Sequence, residues 1–106
     1  MDKYTIKNDD IDENLKLIVS LDDGYPRTVH AKGELDFYTK SKLMSIVESL
    51  FAQNEYKIVL DLKDIAFIDS SGLSFLVLSQ RLVESHSGKL GCVLSDAVLR
   101  VLKIAG

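Results

Sequence analysis

The chain has 106 residues with no tryptophan, one proline (Pro26), one cysteine (Cys92) and two histidines, His30 and His86. A single cysteine excludes an internal disulfide, the usual brace of small extracellular domains. Placed in the apolar stretch "LGCVL", Cys92 reads as a small core side chain rather than a reactive thiol. Neither histidine is accompanied by cysteines or acid pairs at ligand spacing, so no metal site is expected; both read as surface residues. The basic stripe that nucleic-acid binding requires is also missing. The 13 Lys and Arg are interspersed among 16 Asp and Glu, for a net charge of −3, and direct contact with polynucleotide is not expected. The opening segment "MDKYTIKNDDIDENLK" lacks the apolar run of a signal peptide or a membrane-spanning helix. A soluble, cytoplasmic protein without membrane contact is the expectation.

With 46% hydrophobic residues there is material for one core, and residues 1–106 read as one domain. After a polar lead at 7–14, "LKLIVSL" (15–21) has strand composition, and "DDGYP" (22–26) is a turn signal. In "RTVHAKG" (27–33), Thr28, His30 and Lys32 alternate with Val29 and Ala31, which predicts a hairpin over about 15–33 with His30 on the polar side. From Phe37 to Gln53 the period changes. Leu43, Ile46, Val47 and Leu50 recur at three and four residues, an amphipathic helix begun by Thr39 or Asp36 and ended near Asn54. "KIVLDL" (57–62) suits an inner strand buried on both faces, followed by a loop. Leu73 to Glu84 is a helix apolar over much of its circumference and should be largely covered. His86 falls in the turn that follows. "KLGCVLS" (89–95) reads as another interior strand, and "DAVLRVLKIAG" (96–106) as a helix with Val98, Val101 and Leu102 on one face and Ser95 or Asp96 as its cap. The order β-β-α-β-α-β-α predicts an α/β fold, an α+β sandwich in which helices cover a mostly parallel β-sheet.

One short stretch carries possible chemistry. "AFIDSSGL" (66–73) places Asp69, Ser70, Ser71 and Gly72 at the start of the second helix. Capping by Asp69 or Ser70, with Gly72 allowing close approach, accounts for these residues without any further role. A nucleophile elbow fails: Ile68 stands two before Ser70, and neither histidine is placed to act as a base. A phosphate-cradling loop needs glycines that are absent. No catalytic residues are expected. A modification site remains compatible, because phosphate adds about −1.5 to −2 charge at a helix end whose N–H groups favour anions. A surface including Asp36, Asp64 and Asp69 would then turn repulsive towards a docked partner.

"KGELDFYTKSKL" (32–43), "KIVLDLKDIAFIDSSGL" (57–73) and "SGKLGCVLSDAVLRVLKIAG" (87–106) together resemble the STAS domain, in particular bacterial anti-sigma factor antagonists. The resemblance runs from about residue 15 to the end. It implies a protein-binding switch with no cofactor of its own: the unphosphorylated domain binds an anti-sigma factor that is also a serine kinase, and so frees a sigma factor. The kinase, which holds ATP and magnesium, phosphorylates the serine after the motif's aspartate, and a Ser/Thr phosphatase reverses this. By position the phosphoacceptor is Ser70, and the partner-binding residues are Asp36, Asp69, Ser70, Ser71, Gly72 and Leu73. Such antagonists are monomers by the same resemblance. A different use, as a scaffold or as an accessory subunit of a signalling complex or transporter, is the alternative. Two departures stand out. The family's last strand and helix have no counterpart before Gly106, and "DDGYPR" replaces a tighter turn, which bears on partner choice.

Overall fold

A computed structural model describes residues 16–105, in the order β1 (Leu17–Asp22), β2 (Arg27–Leu35), α1 (Lys40–Ala52), β3 (Lys57–Ile68), α2 (Ser70–Ser85), β4 (Lys89–Leu94) and α3 (Asp96–Ala105). The polar lead at 7–14 lies outside the described residues. The strands form one sheet in the order β1-β2-β3-β4. The β1–β2 pair is antiparallel and the other two pairs are parallel, each parallel pair joined by a helix that returns the chain to the starting end of the sheet. The element order is the one the sequence predicts.

One face of the sheet holds the core. Leu17, Val19 and Leu21 of β1 and Val29, Ala31 and Leu35 of β2 point inward, packed with Leu43, Ile46, Val47 and Leu50 of α1 and Phe75, Leu76 and Val83 of α2. On β3 the inward residues are Ile58, Leu60 and Leu62, then Ile65, then Ile68. The step from two to three residues reflects two register shifts against β2, between His30 and Lys32 and between Gly33 and Glu34. Each inserts one extra β3 residue and returns the next apolar side chain to the core. Gly33 permits the close approach of β1's start: its φ is +126°, and a Cβ there would lie 2.0 Å from the Lys16 carbonyl oxygen.

Several expectations are corrected. β3 is an inner strand, but it runs directly into α2 with a single residue between them, so the expected loop is absent. β4 is an edge strand rather than an interior one, and Cys92 is consequently exposed instead of lying in the core. α1 begins at Lys40, because Phe37–Thr39 form a turn. α2 is covered on one side only: Val77 and Leu78 are about half exposed. Its C-terminus and that of α1 close alike, with Asn54 and Ser87 at positive φ. The paired bonds are Glu55 N–H to Leu50 O and Asn54 N–H to Phe51 O, and Gly88 N–H to Val83 O and Ser87 N–H to Glu84 O. Both are Schellman motifs. Asn54 thus ends α1 as its sequence position suggests. Ser95 caps α3, accepting from Val98 N–H at 3.2 Å while donating to Ile65 O at 2.7 Å.

Candidate functional site: the turn and helix start beyond β2 and β3

Leu35 and Ile68, the last residues of β2 and β3, are register partners. Asp36 and Asp69 therefore leave the sheet side by side, and Asp69 N–H donates to Leu35 O at 3.2 Å. Asp36 is 7% exposed. One of its carboxylate oxygens accepts from Tyr38 N–H at 2.9 Å and Thr39 N–H at 3.0 Å. The Thr39 hydroxyl accepts from Asp36 N–H and donates to Glu34 O. Each of the two side chains sequence offered as starters of α1 thus fixes the turn before it. Burial pushes the Asp36 carboxyl up, but the N–H groups of Thr39 and Tyr38 and the Lys16 ammonium outweigh it and hold the group below the ordinary carboxylate value.

Asp69 settles which residue caps α2. Its backbone is extended, one carboxylate oxygen accepts from Gly72 N–H at 3.0 Å, and the other accepts from Phe37 N–H at 3.2 Å. One side chain caps a helix and ties it to the neighbouring turn. Ser70 is left as the first helical residue, exposed, and among the described residues its hydroxyl makes no hydrogen bond within the chain. Ser71 is half-buried, and Leu73 packs against the core. Gly72 is buried where α2 crosses the end of β2: a Cβ would meet Ile68 Cγ1 at 2.6 Å and Leu35 O at 2.7 Å.

Asp36, Asp69, Ser70, Ser71, Gly72 and Leu73 therefore form one cluster. Asp64, expected beside them, does not join it. It pairs in register with Lys32 and lines a shallow pocket on the opposite face of the sheet with His30 and Asp61. There His30 Nδ1 lies 2.9 Å from Asp61 and Nε2 lies 3.9 Å from Asp22, and Lys63 also bonds Asp61. His30 is on the polar face as predicted, though half-buried and partnered. His86 is exposed and stacks on Tyr56, with ring centroids 4.4 Å apart.

Sequence reasoning missed Phe37 and Tyr38, which are 61% and 79% exposed beside the cluster. Their rings meet edge to face at 5.3 Å, and Lys40 Nζ lies 5.4 Å from the Phe37 centroid. A signal was available: the apolar helical period starts only at Leu43, so two aromatics at 37 and 38 have no place on its buried face.

Among the described residues no group of three or more His, Cys, Asp or Glu is placed to hold a metal ion, and no helix is long and apolar enough to cross a membrane. Fold and cluster together define a small α/β domain whose polar site is a helix start and the turn beside it. The chain belongs to the STAS domain family, which it matches over residues 18–106. It is 32% identical over 80 residues to the anti-sigma F factor antagonist of Paenibacillus polymyxa, covering 74% of this chain and 68% of that protein. The fold is shared with an anti-sigma factor antagonist from Mycobacterium paratuberculosis (TM-score 0.74, 24% identity, 85% of this chain and 78% of that one). It is shared too with the anti-sigma factor antagonist SpoIIAA in its unphosphorylated form (TM-score 0.66, 21% identity, 83% of each chain). The same Bacillus protein in its phosphorylated form matches with TM-score 0.62 and 22% identity over 83% of each chain.

Proposed function

We propose that this chain is an anti-sigma factor antagonist switched by phosphorylation of Ser70. Unphosphorylated, it binds an anti-sigma factor through Asp36, Asp69, Ser70, Ser71, Gly72 and Leu73, and so frees a sigma factor. The anti-sigma factor is a serine kinase carrying its own ATP and magnesium, and a Ser/Thr phosphatase restores the binding form. The chain is a monomeric, cytoplasmic substrate of these enzymes, with no cofactor and no direct contact with nucleic acid. The observation that carries this reading is the division of labour at the start of α2. Asp69 makes the cap and the tie to the turn, while the Ser70 hydroxyl is exposed and, among the described residues, spends no bond on the fold. A hydroxyl so placed is open to a kinase, and a phosphate on it would lie at the N–H end of a helix, where negative charge is favoured. The 32% identical relative, named for antagonism of an anti-sigma factor, supports the same partner class.

The test is phosphopeptide mass spectrometry of the protein isolated from its native cells, with the site localised within residues 64–81. Phosphate on Ser70 in a fraction of molecules is expected. Its absence under both growth and stress would replace the switch with a constitutive scaffold role. Under the switch, Ser70→Ala should bind the anti-sigma factor permanently, and Ser70→Asp should bind more weakly with the fold intact.

A further inference from the structure

A groove of about 360 Å³ runs between α1 and α2. Lys40, Met44 and Glu48 line it from α1 with Ser41 and Ser45 beside them, and Ser74, Phe75 and Leu78 line it from α2. Of these, Lys40, Met44 and Glu48 recur every four positions and so form one stripe roughly 12 Å long, about two helical turns. Charge is ordered along it: a cation at one end, an apolar middle made with Phe75 and Leu78, and an anion at the other. The cationic end belongs to the cluster described above. Lys40 reaches over the Phe37 ring, and Ser74 Oγ donates to Ser70 O at 2.9 Å. Phe37, Tyr38 and Leu78 are 61%, 79% and 46% exposed, so apolar surface is presented both at the turn before α1 and on the α2 wall of the groove, with Lys40 and Ser74 linking the groove to that turn and to the Ser70 backbone. A surface of this kind, rimmed by charges, is a protein-docking surface.

We infer that the groove seats an amphipathic helix of the anti-sigma factor, its acidic end beside Lys40 and its basic end beside Glu48, with Phe37 and Tyr38 as aromatic anchors at the Ser70 end. The inference rests on the function proposed above. Charge order selects the occupant. An apolar segment flanked by acid and base at a two-turn spacing complements the stripe, whereas an all-apolar or uniformly charged segment leaves one rim charge opposed or unpaired. A trough between two helices suits a third helix packed ridge into groove. The same polarity explains release. Phosphate on Ser70 brings about −1.5 to −2 charge to the end where the partner's acid sits, turning attraction into repulsion without blocking the groove.

The experiment is titration calorimetry of the full chain with purified anti-sigma F factor of Paenibacillus polymyxa. Variants are Phe37→Ala, Tyr38→Ala, Leu78→Glu and Lys40→Glu, with Val93→Glu on β4 as control. All five positions are exposed or lie on the helix surface, and Tyr38→Ala removes a ring that the core does not use. The groove variants should each raise Kd about tenfold or more, as truncated interface anchors do, with Val93→Glu at the parent value. Binding by the parent that survives Leu78→Glu and the two aromatic truncations overturns the groove and leaves the antagonist function standing. No binding of this anti-sigma factor by the parent overturns the groove as its docking site, while the functional reading is decided separately by phosphate at Ser70.

Discussion

At the scale of single residues the site is held by carboxylates that each serve two partners. Removing the Asp69 side chain takes away both the cap of α2 and its tie to Phe37 N–H, so Asp69→Ala should cost about 0.5–2 kcal/mol. Asp69→Asn, which keeps one acceptor oxygen, should cost less. Ser70→Ala loses no hydrogen bond among the described residues and should stay within about 0.5 kcal/mol of the parent. Urea unfolding of the three variants checks the order; a loss at Ser70→Ala as large as at Asp69→Ala would make the serine a structural cap. Gly72→Ala puts a methyl against a backbone carbonyl that cannot yield, and should cost about 1–3 kcal/mol as overpacking. On the other face, burial pushes the Asp61 carboxyl up, but its bonds to Lys63 and His30 outweigh this and hold it below the ordinary value of 3.8. A carboxyl held lower in the fold than in the unfolded chain stabilises fully above the unfolded value, and loses that contribution as pH falls through the folded one. Asp36 acts in the same direction. The thermal midpoint should therefore fall as pH is lowered through about 4, and Asp61→Asn should reduce the slope of that fall.

Among the elements, legibility in sequence followed periodicity. β1, β2 and α1 alternate or recur regularly along buried faces, so their patterns place them to within a few residues. β3 was read only to Leu62, because beyond it the apolar spacing becomes three, and two bulges that depend on pairing with β2 leave no local signal. Composition could not rank β4: an edge strand and an interior one carry the same apolar residues, so Cys92 looked like core until the strand order exposed it. The site residues came from the resemblance of the GELD and DSSG motifs to the family, and the structure brings them together because Asp36 and Asp69 follow strand ends that pair. Asp64 was misplaced for the converse reason: closeness in sequence to Asp69 says nothing when a strand carries the two apart. Helix ends gave mixed signals. Asn54 is a frequent occupant of a left-handed C-terminal position, whereas Ser87 is not, yet both hold φ near +60°. Ser87→Gly should therefore stabilise α2's end by up to about 1 kcal/mol, read as a higher midpoint in urea, and Ser87→Val should lower it.

For the whole molecule the question is whether phosphate at Ser70 changes the fold or only its surface. The serine is exposed at one end of the sheet, whereas Ile68, Phe75 and Leu35 nearby are buried. The helix start already tolerates the Asp69 carboxylate, and negative charge in the first turn of a helix stabilises by about 0.3–1 kcal/mol. Like-charge contact with Asp69 opposes this, and the cap geometry sets the balance, since the Asp69 oxygens are committed to Gly72 and Phe37 N–H groups. The phosphorylated chain should accordingly unfold within about 1 kcal/mol of the unphosphorylated one. Its amide chemical shifts should move only in residues 36–40 and 69–75. Two-dimensional NMR and urea unfolding of the two forms side by side provide the check. A loss well beyond 1 kcal/mol, or shifts spreading into β1 and β4, would mean that the switch works by rearranging the domain, and the groove between α1 and α2 would then have to be sought in only one of its two forms.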